Sequence, residues 1–254
     1  MDQSPKMRFL SIATVIVVVC LALPVYGQQS ANQQPPKPEE KTAVIRFFSD
    51  VNPGTIGILL QTVDNQFKAG TRKFVILMSS GGGDVLSGFM AYNYLKGLPI
   101  EITTFNVGNV DSSASIIYCA GAKRYAVPEA RFIIHEVSLT ITANGPGMIN
   151  IDLPSLEAQL SLLKGQESSI AKILATTVGK PESDAQARIH AQAALSSDEA
   201  KKWGLVQDIR TQLFDPNNSN LVLAIPPPSI PGQSQPPTVP TVPQYSYAGG
   251  GSSN

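Results

Sequence analysis

Two histidines, two cysteines and the adjacent serines Ser112 and Ser113 frame the nucleophilic chemistry considered for this chain of 254 residues. The serines stand in "GNVDSSASIIYCAGA", residues 108–122, between a glycine turn and a run of small apolar residues with helical character. A serine at a helix start fits two roles. It caps the helix by accepting an orphan backbone N–H, or it is a nucleophile whose alkoxide gains from the positive end of the helix dipole. Upstream, "SSGGGDVLSG", residues 79–88, turns from an apolar run into a helical pattern through three glycines. Glycines there let the backbone approach a ligand closely and aim N–H groups at developing negative charge. A tight strand-to-helix connection is the plain alternative. A phosphate loop is disfavoured, because no Lys-Ser/Thr follows the glycines and Asp84 would repel a phosphate. A histidine general base must be His135, at the end of "RFIIHE", or His190.

The elements that position these residues follow from hydrophobic periodicity. "AVIRFF" reads as a strand. Asn52-Pro53 supplies a cap and a first-turn proline for a helix to about residue 69. "KFVILMSS" is a continuous apolar run suited to a strand buried on both faces. Val85, Phe89, Tyr92 and Leu95 recur at helical spacing, "IEITTFN" is a strand, residues 113–120 are helical, and "RFIIHE" is a strand again. A long helix over 153–178 carries Leu156, Leu160, Leu163, Ile170 and Leu174 along one face. Alternation of this kind predicts an α/β fold of βαβ units around a mostly parallel sheet.

The order of glycine loop, serine at a helix start and histidine at a strand end resembles the proteolytic subunit of the Clp peptidase. "SSGGGDVLSG" is similar to that family's oxyanion loop. "GNVDSSASIIYCAGAKRYAVPEARFIIHE" is similar to its segment from nucleophile to histidine, and "LSSDEAKKWGLVQDI" to its closing segment. The resemblance covers about residues 43–210. It implies a ClpP/crotonase-like fold of repeated β-β-α and βαβ units with a long handle helix, and a serine endopeptidase acting on peptides or unfolded proteins. It implies Ser112 as nucleophile, His135 as general base, and the amides of Gly83 and Ser113 as the oxyanion hole. The family's third member, an aspartate, falls here on Gln192, whose carbonyl is expected to accept the imidazole N–H without supplying charge. Gly81 stands where the family loop has proline. Asp111 stands beside the nucleophile, where its carboxylate would tend to raise the pKa of a nearby histidine. The resemblance also implies a homo-oligomeric ring of six or seven subunits. The Gln192 position gives weight to a second reading, a catalytically impaired relative serving as an oligomeric binding module. An acyl-CoA enzyme of the crotonase branch has little support, since no adenine-binding pattern is visible.

The ends set location and domain limits. Lys6 and Arg8 precede an apolar stretch from Phe9 to about Val25, and Gly27 follows, the pattern of a signal peptide over residues 1–27. Uncleaved, the same stretch would be a membrane anchor; a lipid anchor at Cys20 is disfavoured by the bulky Val19 before it. Either way the body is expected on the exported side, periplasmic or secreted, where an ATP-driven unfoldase partner is not expected. Residues 28–41 read as a polar linker, 42–212 as the peptidase domain, and 213–254 as a proline-rich tail. Formal net charge is +0 with no Lys/Arg cluster, which argues against nucleic acid. Cys20 and Cys119 give neither a disulfide framework nor metal-ligand spacing, so no metal or cofactor is expected.

Overall fold

The computed structural model describes residues 41–139 and 151–225. The signal peptide, nearly all of the linker, the segment 140–150 and the tail from 226 onward lie outside the described residues. The order is β1 (Thr42–Phe47), α1 (Pro53–Lys68), β2 (Lys73–Ser80), α2 (Val85–Gly97), β3 (Glu101–Asp111), α3 (Ala114–Tyr118), β4 (Lys123–Ala126) and β5 (Arg131–Ile133). There follow α4 (Leu153–Val178), α5 (Glu182–Ala191), β6 (Ala194–Ser196), α6 (Ser197–Trp203), β7 (Asp208–Ile209) and β8 (Ser219–Ile225). Among the described residues, no helix is long and apolar enough to cross a membrane.

One sheet runs β6-β5-β3-β2-β1-β8, with β4 pairing β3 and β7. Every pairing is parallel except β5 with β6. The apolar run of β2 reads continuously because both sheet faces are covered. Phe74, Ile76 and Met78 face the main core with Ile56, Leu59 and Val63 of α1. Val75 and Leu77 face a second cluster with Val44 and Phe105. The expected cap of α1 is present: the Asn52 side chain accepts the Thr55 N–H at 3.0 Å, and Pro53 opens the helix.

β3 extends past the predicted strand to Asp111 and changes partner on the way. Thr103 to Asn106 pair with β4, and Asn109 to Asp111 pair with β5. Asn106 fills the fork: it is 0% exposed, its Nδ2 donates to the Arg131 carbonyl at 2.8 Å, and its Oδ1 accepts the Gly108 N–H at 3.0 Å. Both groups would otherwise be buried without partners. β5 is shorter than predicted and ends at Ile133, so His135 lies on the loop beyond it.

The folded unit also runs past residue 212, where the sequence places the start of the tail. β8 pairs in parallel with β1 from Thr42↔Ser219 to Phe47↔Ile225. Leu213 and Phe214 pack on the second apolar cluster. These contacts give the segment apolar burial and a backbone ladder.

Helix α4 covers the span predicted, but its apolar face is only half used. Ile170, Ala171, Leu174 and Ala175 are buried, whereas Leu156 and Leu160 are about half exposed, at 51% and 49%. The buried end is tied to the core by Arg124, whose guanidinium donates to the carbonyls of Leu205, Gly121 and Thr177 at 2.9–3.1 Å. Thr177 lies in the last turn of α4, where the helix dipole favours a cation.

Candidate active site

Ser112 directly follows β3 and holds φ at 54°, the left-handed region that residues other than glycine rarely occupy. Its N–H donates to the Ile133 carbonyl at 2.7 Å, which binds the turn to the end of β5. Such a conformation costs of order 1 kcal/mol or more and persists only where the surroundings impose it. Neither serine side chain caps α3. Ser113 occupies the cap position with no side-chain cap bond, and its buried hydroxyl has no partner among the described residues. Ser115 Oγ instead donates to the Ser112 carbonyl at 2.6 Å.

The glycine loop is pressed against this turn. Gly82 has φ 90°, and a Cβ there would sit 2.6 Å from Ser112 Cβ and 2.7 Å from the Asp111 carbonyl. Gly83 has φ 141°, and a Cβ would meet the Val51 carbonyl at 2.2 Å. Val51 holds the loop by donating to the Gly82 carbonyl and accepting the Asp84 N–H, both at 2.8 Å. Asp84 caps α2 by accepting the Ser87 N–H at 2.7 Å, which explains an acid beside an anion-facing loop. Gly81, where the family loop is expected to hold proline, differs: a Cβ there would meet nothing within 4 Å. Among the described residues, neither the Gly83 N–H nor the Ser113 N–H is taken by a hydrogen bond.

Ser112, Ser113, Gly83, His135, Glu136 and Ile170 line one small cleft. His135 is half-buried, and its Nδ1 lies 2.6 Å from the Glu136 carbonyl. A carbonyl only accepts, so Nδ1 carries a proton, and in the neutral ring that leaves the Nε2 lone pair for a base. Gln192 does not take the place expected of it. It caps α5 in a left-handed conformation, φ 49°, and its Nε2 donates to Glu136 Oε2 at 2.9 Å. An amide facing a carboxylate must present its N–H₂, so its carbonyl is turned away from that contact. The other oxygen, Glu136 Oε1, accepts from His190 Nδ1 at 2.6 Å. Asp111 Oδ2 accepts from Asn109 at 3.0 Å and Arg131 at 3.2 Å, and its buried Oδ1 has no hydrogen-bond partner among the described residues. Glu136 and Asn106 were not singled out in the sequence, where neither belongs to a spacing that marks chemistry.

The arrangement can carry acyl transfer. It provides a hydroxyl on a strained turn, an imidazole with a free nitrogen, and two free amides on the same cleft. Cys119 does not compete as nucleophile, because burial pushes its thiol up to about 11 and keeps it protonated.

A family model described as Clp protease matches residues 58–212, more than half of the chain. Among curated proteins, the ATP-dependent Clp protease proteolytic subunit 2 of Frankia casuarinae is 29% identical over 140 residues, 54% of this chain and 61% of that protein. The ATP-dependent Clp protease proteolytic subunit of Cuscuta reflexa is 30% identical over 148 residues, 56% of this chain and 69% of its own. The Chlamydia muridarum subunit 2 is 25% identical over 154 residues, 60% and 72% of the two chains. The match thus spans less than two thirds of the Frankia subunit and slightly more of the other two.

Proposed function

The chain belongs to the Clp protease family of peptidases, and from that premise we propose that it is a serine endopeptidase with Ser112 and His135 as its dyad. His135 Nε2 takes the Ser112 proton as Oγ attacks the scissile carbonyl carbon. The oxyanion is received by the Gly83 and Ser113 N–H groups. The imidazolium then protonates the leaving amine, and water resolves the acyl-enzyme by the same steps. The observation that supports this most is the Ser112 turn: a left-handed serine beside a second serine, with neither side chain used as a cap.

The substrates proposed are peptides or loosely folded proteins, cleaved by a homo-oligomer without an ATP-driven unfoldase. Export is proposed from the N-terminal sequence. Its check is the intact mass of protein recovered outside the cytoplasm, expected to begin at Gln28; a mass retaining Met1 would contradict cleavage. The reading as a binding module draws on one observation, the engagement of Gln192 with Glu136 instead of His135.

The deciding experiment is labelling of the full chain by a fluorophosphonate probe. Wild type is expected to be labelled, with the label lost in Ser112→Ala. His135→Ala is expected to slow labelling by about 10³-fold, as loss of a general base does. A folded, unlabelled wild type would move the assignment to the binding module.

A further inference from the structure

We propose that Glu136 is a positioning residue for His135, held by His190 and Gln192, so that a main-chain carbonyl orients the imidazole in place of a third acidic side chain. The inference rests on the reading of Ser112 and His135 as the dyad.

The loop carrying His135 is seated by the buried Ile134 and by Val137, which packs on the core, but its polar fixing is sparse. Among the described residues, 134–139 make no backbone–backbone hydrogen bond outside the sheet. Its anchor is the Glu136 carboxylate, with Oε1 on His190 at 2.6 Å and Oε2 on Gln192 at 2.9 Å. Both partners come from one end of α5, so two bonds to one rigid element fix the carboxylate in position and direction. The same residue's carbonyl then accepts the His135 Nδ1–H at 2.6 Å. That bond selects the tautomer in which Nε2 is the base, the orienting part of a triad acid's role. It leaves out the stabilisation of the imidazolium by full charge.

His190 makes the anchor sensitive to pH. Two carboxylates face it: Glu136 from the loop after β5, and Glu167 of α4, whose Oε1 lies 3.6 Å from Nε2. The hydrogen bond to Glu136 and the charge of Glu167 raise its pKa above the ordinary histidine value. The charged clamp is therefore complete below that raised pKa and weakens as pH rises through it. A dyad base alone would give labelling that rises with pH to a plateau. The clamp adds a falling limb on the alkaline side.

The test is the fluorophosphonate labelling rate of Ser112 in the full chain as a function of pH. His190→Gln is expected to slow labelling about tenfold at neutral pH, a fraction of the full general-base effect, and to abolish the falling limb. Gln192→Glu separates two roles for that residue at an exposed site. If Gln192 anchors Glu136, a carboxylate there repels it and labelling slows. If Gln192 is a remnant of the triad acid, a carboxylate restores charge and labelling quickens, which overturns the proposal. An unchanged pH profile in folded His190→Gln overturns it too. Should His190→Gln not fold, Gln192→Glu alone decides. Absence of a Ser112 label in wild type would sink the peptidase reading and this inference with it, and is distinguishable from either result above.

Discussion

The two halves of the cleft are built by different means. The nucleophile half is backbone against backbone: Gly82 touches the Ser112 turn, Gly83 touches Val51, and the turn is bonded to the end of β5. The base half hangs on polar contacts at the surface, where the Glu136 side chain is 46% exposed and its partner His190 56%. Interior backbone contacts leave no second arrangement at similar energy, because interiors are close-packed and do not deform continuously. Exposed hydrogen bonds compete with water and contribute little to stability. The nucleophile is therefore part of the fold, whereas the base is adjusted on top of it.

The largest expected effect is in the first half. Gly83→Ala forces a Cβ into the Val51 carbonyl at a φ hostile to alanine and is expected to cost about 3 kcal/mol or more. Chemical denaturation would measure it, with the serine label lost as well. Gly81→Ala, two residues away, should change stability by less than about 0.5 kcal/mol; a cost like that of Gly83 would break the account of the loop. Asn106→Leu takes the Asn106 partner from the part-buried Arg131 carbonyl and Gly108 N–H, and is expected to cost about 2 kcal/mol in the same assay. Glu136→Ala sharpens the contrast from the other side. It is expected to slow labelling about tenfold, a fraction of what loss of the general base itself would cost, while the thermal midpoint stays put; a large fall in midpoint would show that the base half is also structural. The smallest effect belongs to Ser113→Ala. It removes a buried hydroxyl without a partner and keeps the amide, so stability should hold or rise slightly and labelling should be unchanged.

The same contrast governs what could be read in advance. The glycine loop and β2 were legible because backbone geometry restricts residue type: close approach demands glycine, and a doubly covered strand demands a run such as "KFVILMSS". The Ser112 turn was not, since a left-handed serine leaves no mark on residue type; its role came from the family resemblance. The long helix was legible over its full span, but periodicity marks an apolar face without saying how much of it is covered. Leu156 and Leu160 fit the stripe as well as Leu174 does, and only Leu174 is buried. The role of Gln192 was not legible. Its partner Glu136 lies 56 positions away, and a single exposed bond between them imposes no pattern on either neighbourhood. β8 was hidden for another reason: seven residues of strand stand directly before a proline-rich stretch, and composition averaged over both reads as tail.

The pairing of β8 with β1 sets an order of events in synthesis. β1 is the first element of the described fold to leave the ribosome, and β8 is the last. Until the final strand arrives, one edge of β1 presents unpaired N–H and C=O groups beside the apolar residues Val44 and Ile45, a surface open to mispairing with other chains. Contacts this distant in sequence close late and slow folding. The nascent chain is thus kept incomplete until nearly all of it has been made, and a truncation after residue 212 would expose that edge permanently and favour aggregation.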